Sequence, residues 1–162
     1  MNILLIGGSS GMMDEMIEKL KKNDHRIYLL TGRKDKSVTY RHVFERYDFT
    51  YDDDSVKDIM ESTRPQLVIF MGAYDTNFDW QRMGRQESVR YTTSLINLLS
   101  AYSMIGTGRF VYFSSQEVYG ASYGNPVRES EPATPKGYKA LAVAQGEEIC
   151  GNYRKNTGVD VV

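Results

Sequence analysis

Cysteine is almost absent from this chain. Cys150 is the only one in 162 residues, so no intramolecular disulfide can form and a reducing compartment is the expectation. Its thiol reads as a small buried or half-buried hydrophobe, because no histidine-rich spacing around it marks a nucleophile or a metal site. Histidine is scarce too: His25 and His42 have no partners at recognisable spacing and read as surface or scaffold residues. The acidic run Asp52-Asp53-Asp54 reads as a helix cap, since further ligands for a metal are lacking. No apolar run approaches the roughly 18 residues that a bilayer crossing needs. No basic stretch precedes the short N-terminal apolar run, which therefore reads as a strand and not as a signal peptide. These absences give the expectation of a cytoplasmic chain with no membrane partner. Neither sign of charge is in excess, with 20 Lys and Arg against 21 Asp and Glu, a net −1. That balance argues against a nucleic-acid surface driven by bulk charge.

What is present fits one globular domain, with 41% apolar and 25% charged residues. The twelve tyrosines are scattered and read mostly as half-buried scaffold. Apolar runs that end in glycines or turns predict strands at Asn2 to Ile6, Arg26 to Thr31, Arg46 to Phe49, Gln66 to Met71, Arg109 to Phe113 and Val159 to Val162. Helical spacing predicts helices at Met12 to Lys22, Ser55 to Ser62, Ser88 to Met104 and Gly137 to Arg154. In the third of these, Val89, Leu95, Ile96, Leu99 and Tyr102 are the expected core face. Ala121 to Lys136, with three prolines and one glycine, reads as loop. Strands without strict alternation, interleaved with helices, imply a parallel sheet covered on both faces. The expected fold is a doubly wound α/β Rossmann sheet in three layers, strand order 3-2-1-4-5-6. Because the last strand runs to the final residue, the expectation is that residues 1–162 are the N-terminal part of a longer protein with a substrate domain downstream.

The first strand opens into Gly7-Gly8-Ser9-Ser10-Gly11-Met12 and then a helix. A strand–glycine–helix turn collects free backbone N–H groups and the positive end of the helix at one point, which suits a pyrophosphate. Gly7 would allow the tight turn, Gly11 the approach of the phosphates, and Ser9 and Ser10 extra hydroxyl donors. Met13 stands where a third glycine would let helix and strand pack closely, so the helix is expected to ride outward. After the second strand no carboxylate awaits the ribose hydroxyls; the residues are Thr31-Gly32-Arg33-Lys34. Arg33 and Lys34 suit a 2′-phosphate, which favours NADP over NAD; the alternative is two solvated surface cations.

Further on come Phe110-Val111-Tyr112-Phe113-Ser114-Ser115, then Val118-Tyr119-Gly120, then Pro126, Glu129, Pro132, Pro135 and Tyr138. This run resembles the extended short-chain dehydrogenase/reductase superfamily, and within it the NAD-dependent epimerase/dehydratase family, along the whole chain. The glycine spacing, Gly7-x-x-x-Gly11-x-Met13, is nearer that of the short single-domain members. The resemblance implies that Tyr138 is the general acid/base of hydride transfer and that Ser115 orients the substrate oxygen. It also implies adenine-side contacts at Asp48 and Phe49, and small residues against the cofactor at Met71-Gly72-Ala73. Trp80 reads as a partly buried loop anchor, with the substrate side of the cleft as the alternative.

The family's lysine, four residues beyond the tyrosine, is missing, because that position is Ala142. An ammonium about 4 Å from a phenolate, at an effective dielectric of about 20, contributes about 4 kcal/mol. That is about three pKa units towards neutrality, and Ala142 supplies none of it. Lys139 sits about 60° and about 4.5 Å from the required place on a helix, and Lys136 lies in the preceding loop, so neither is pre-positioned. Two readings follow. The first is an epimerase/dehydratase-like oxidoreductase acting on a sugar nucleotide or a similar small carbonyl compound; the second is a nucleotide-binding sensor or scaffold without turnover. Reuse of the scaffold for RNA is weakened by the net charge, and a homodimer is a further expectation.

Overall fold

Ile3, Leu4, Leu5 and Ile6 are all inaccessible to solvent, which requires a strand covered on both faces. This is β1 (Asn2–Ile6) of a computed structural model that describes residues 1–7, 11–31, 45–48, 53–75, 78–105, 108–120 and 126–162. After it come α1 (Gly11–Lys21), β2 (Arg26–Thr31), β3 (Glu45–Asp48), α2 (Asp53–Thr63), β4 (Leu67–Phe70), α3 (Trp80–Ile105), β5 (Arg109–Tyr112), α4 (Gly137–Thr157) and β6 (Asp160–Val161). All pairings are parallel, and the order β3-β2-β1-β4-β5-β6 is the one the alternation predicts.

The period of two along β1 sorts its side chains between two cores. Ile3 and Leu5 join Met13 and Ile17 of α1, together with Ile27, Leu29, Ile69 and Met71. Leu4 and Ile6 face the other way, into a larger core built with α2, α3 and α4. Met13, fully enclosed, therefore fills the place that a third glycine would leave empty. Fully burying each such side chain is worth about 1.5–3 kcal/mol.

The large core is unusually aromatic. Phe70 of β4 lies between Tyr91 of α3, centroids 5.5 Å apart, and Tyr112 of β5, at 5.9 Å. The two phenols hydrogen-bond at 2.8 Å, and Tyr112 Oη also donates to the Val143 carbonyl of α4 at 2.9 Å. Burial is the main reason that both phenols have pKa values well above the ordinary one. Gly146 makes room for that ring: a Cβ there would come within 2.6 Å of Tyr112 Cζ.

Two expectations need correction. The helix predicted over Ser88 to Met104 begins eight residues earlier, at Trp80; residues 80–87 carry no regular apolar spacing, and the chain bends at Met83 (φ −124°, ψ 28°) before that spacing starts. Val89 and Ile96 do not face the core: they are 64% and 38% exposed. The helix is phased on Tyr91, Leu95, Leu98, Leu99 and Tyr102, and residues 89 and 96, two turns apart, share the outer side. Among the described residues no helix is long and apolar enough to cross a membrane.

The glycines of α4 give a paired prediction. Gly146→Ala drives a methyl into Tyr112 and lowers stability by about 1–3 kcal/mol. Gly151→Ala meets nothing within 4 Å and raises stability by about 0.5–1 kcal/mol. Urea midpoints at constant m-value measure both.

Candidate dinucleotide and Ser–Tyr site

The strand order reverses between β1 and β4, and the crevice beyond the carboxyl ends of those strands is where α/β sheets bind ligands. Gly7 is set there by the sheet itself. Its φ is +91°, its N–H donates to the Leu30 carbonyl at 3.2 Å, and a Cβ would approach the Met71 backbone to 2.8 Å. Any other residue would both strain the turn and push β1 from β4. Gly11, the first residue of α1, is different: a Cβ would meet nothing within 4 Å. A helix N-terminus whose first residue carries no side chain fits an anion such as a pyrophosphate. Met12 beside it is 41% exposed. Gly8, Ser9, Ser10, Arg33, Lys34 and Phe49 lie outside the described residues; Asp48 closes β3, paired with Thr31, and its side chain is likewise outside.

At the end of β4 the three small-residue candidates divide. Met71 is enclosed in the α1-side core. Gly72 is needed by the aromatic core, since a Cβ would lie within 2.9 Å of Tyr91 Cε2 and about as close to the Phe70 ring. Ala73 alone lines a cleft, of about 660 Å³, bounded also by Tyr74, Asp75, Asp79, Trp80 and Lys139.

Ser115 stands just past β5 and caps a 3₁₀ turn, Gln116–Tyr119, its Oγ accepting from the Glu117 N–H at 3.3 Å. Tyr138 is the second residue of α4, which follows a left-handed turn at Gly137 (φ +85°). The phenol-bearing ring is 54% exposed and lies on Gly84 of α3, where a Cβ would come within 2.7 Å of Tyr138 Cδ2. What joins the two candidates is an ion pair: Lys139 Nζ is 2.7 Å from Glu117 Oε1. The pair ties the first turn of α4 to the turn that Ser115 caps. Tyr74 adds a second tie, donating from its hydroxyl to the Ser114 carbonyl at 2.9 Å, while Ser114 Oγ bonds Glu147 of α4.

The lysine gap has a structural face. Ala142 is fully buried in the larger core. Lys139, the neighbour with a cation to offer, already has its charge matched by Glu117.

The sequence matches the profile of the NAD dependent epimerase/dehydratase family over residues 3–162. The chain belongs to that family. None of the curated proteins matches it. Among solved structures it is similar to UDP-glucose 4-epimerase of Thermotoga maritima with UDP-glucose, at 20% identity and TM-score 0.87, covering 99% of this chain and 53% of that one. UDP-glucose 4-epimerase of Thermus thermophilus in complex with NAD gives 20% and 0.85, with 99% and 53% covered. UDP-glucuronic acid 4-epimerase of Bacillus cereus, in complex with UDP-glucuronic acid and NAD, gives 18% and 0.81, with 100% and 55% covered. The chain spans about half the length of these structures.

Sequence reasoning had no signal for two parts of this family member's site. Glu117 and Lys139 are 22 positions apart and meet only through the fold. Asp75 and Asp79 follow no motif, yet both line the cleft. Cys150 is the small buried hydrophobe that the sequence suggests, its thiol pushed up to about 12 by burial and then by Glu147. Burial, helped by Asp160, likewise raises the Tyr102 phenol to about 12.

Both acids are neutral when protonated, so a folded pKa above the unfolded one adds stability in full below the unfolded values, about 8.5 for Cys and about 10 for Tyr. Stability should therefore fall as pH climbs from about 9 towards about 12. At pH 8 native Cys150 should react with iodoacetamide at least about tenfold more slowly than in urea. Equal rates would place the thiol at the surface.

Proposed function

We propose that this chain holds NAD(P) in the crevice at the carboxyl ends of β1, β2 and β4. The observation that carries the reading is Gly11 as the first residue of α1, with room for a Cβ around it, next to the strand-order reversal of a NAD dependent epimerase/dehydratase family member. NAD in the Thermus thermophilus and Bacillus cereus complexes supports the same ligand here. Arg33 and Lys34 favour the 2′-phosphate of NADP. The bound nicotinamide supplies a hydride acceptor and donor, and the protein supplies proton handling.

The proton handling falls to Ser115 and Tyr138. Ser115 Oγ accepts from the Glu117 N–H, which leaves its own hydrogen free for a substrate oxygen. The deprotonated Tyr138 oxygen would take the proton of a substrate hydroxyl as the hydride leaves that carbon, and the resulting phenol would return it on reduction. The substrate we propose is a sugar nucleotide or a similar small carbonyl compound, and its second wall is supplied outside residues 1–162, as the doubled length of the solved relatives suggests. With Ala142 in the lysine's place and Lys139 matched by Glu117, neither residue supplies the cation that the family's lysine brings to the tyrosine, so turnover is slow. The second reading, a dinucleotide-binding sensor without turnover, is favoured by the same residue.

Calorimetric titration with NAD, NADH, NADP and NADPH should detect binding, with NADP ahead of NAD. Gly11→Asp should abolish it by placing a carboxylate against the phosphates. Arg33→Ala should narrow the NADP–NAD difference by about 1.5–3 kcal/mol. Failure of all four ligands at millimolar concentration overturns the reading; equal affinities would make Arg33 a surface cation only.

Turnover of UDP-glucose by residues 1–162 at pH 7 should be weak or nil. Any activity should vanish in Tyr138→Phe. Robust activity at neutral pH would show that the missing lysine does not limit the chemistry.

A further inference from the structure

Tyr138 is an exposed side chain whose root is nevertheless held, and a different helix holds it. We infer that Gly84 of α3 is a positioning residue for Tyr138, granted the reading above in which Tyr138 handles the proton. The bare backbone of this glycine is the seat on which the base of the ring rests, and it sets the direction in which the phenol points.

The contact is at the root of the side chain and not at its tip. Gly84 is buried, and a Cβ on it would lie 2.7 Å from Tyr138 Cδ2, 3.1 Å from its Cβ and 3.2 Å from its Cγ. Unstrained carbon–carbon contacts lie at about 3.5–4.0 Å. Turning the ring about Cα–Cβ relieves Cδ2 but leaves Cβ where it is, so a methyl at position 84 has to shift the tyrosine itself. The hydroxyl is the atom of the side chain farthest from its root, and a small tilt there is enlarged at the oxygen. A misplacement of about 1 Å at a reacting group costs about a hundredfold in rate.

The seat is anchored on α3. Asp79 stands just before the helix: its Oδ1 accepts from the Arg82 N–H at 3.1 Å and its carbonyl from the Met83 N–H at 2.9 Å. Its own N–H donates to Glu87 at 3.3 Å, and the buried Glu87 pairs with Arg90 at 3.1 Å. These bonds span the bend at Met83 and hold Gly84, the next residue, from both sides. Tyr138 is anchored on α4 by its neighbours. Gly137 enters the helix at φ +85°, Lys139 pairs with Glu117 at 2.7 Å, and Ala140 is buried. A tyrosine on a free helix surface hops between rotamers. One whose root lies between two anchored segments keeps a single one.

Nuclear magnetic resonance of the chain tests this with and without a substitution. In the unmodified, ligand-free chain the Gly84 methylene protons should show a nuclear Overhauser contact to the Tyr138 ring. Three-bond couplings should place Tyr138 χ1 in one rotamer. A missing contact or averaged couplings overturn the inference, and both are read even if the variant below does not fold. With NAD saturating, the Tyr138 ring should also contact the nicotinamide protons. Gly84→Ala should weaken that second contact at least about threefold, the fall that a displacement of about 1 Å produces. The NAD dissociation constant from calorimetry should change less than about twofold, and the Ser115 amide should respond to NAD as before. An unchanged nicotinamide contact, with only the urea midpoint altered, would make Gly84 a packing residue and overturn the inference. If NAD binds the unmodified chain without any contact between the nicotinamide and Tyr138, the inference falls and the dinucleotide reading stands; if NAD does not bind, both fall.

Discussion

The close approach of β1 to β4 is the constraint on which the site depends. Where the strands part, the Gly7 N–H bonds back to β2 and the Met71 N–H donates to the Ile6 carbonyl at 2.8 Å. Backbone fills the space where a Gly7 side chain would be, so the chain can turn upward into α1 only with a glycine there. That requirement sets where the chain leaves β1 towards α1, whose first residue, Gly11, is the proposed phosphate contact. Met13 anchors the helix in the same place by filling the core beneath it.

A second layer of organisation comes from the aromatic residues. Phe70, Tyr91 and Tyr112 knit β4, α3 and β5 together, and Phe78 and Trp80 extend the cluster to the cleft. The cleft wall is therefore continuous with the core, and its rigidity comes from the core. The opposite lip is held electrostatically, by Lys139 and Glu117. This pair explains a puzzle in the sequence: a lysine stands close to the family's lysine position, but it serves to join two elements and its charge is already matched. At Ala142 the chain has core packing instead of a cation, and a lysine there would have to run its stem out of an enclosed site.

The strand order, the strands to within a residue or two and the position of the glycine turn were legible because each is written in a local pattern. Buried parallel strands read as apolar runs, and their alternation with helices leaves few topologies. The start of α3 was not legible, because residues 80–87 are mostly polar and a kink at Met83 separates the first turn from the apolar spacing. Val89 and Ile96 misled for a related reason. A seven-residue spacing marks one face of a helix but not which face is buried, and Tyr91 decided that. In the candidate site the motif residues Ser115 and Tyr138 were legible by resemblance. Gly72 was legible only as a glycine: its reason, two aromatic rings from distant segments, is tertiary. The carboxylates of the cleft and the Lys139–Glu117 pair carry no sequence signal for the same reason.

The central claim, that the crevice between β1 and β4 is a dinucleotide site, is tested most directly by following backbone amide resonances of the ¹⁵N-labelled chain as NADP or NAD is added. The account predicts that the largest shifts fall on Gly7, Gly11 and Met12, with smaller ones at Ala73 and Ser115. Shifts scattered over the surface, or confined to the outer face of α3 around Val89, would contradict it.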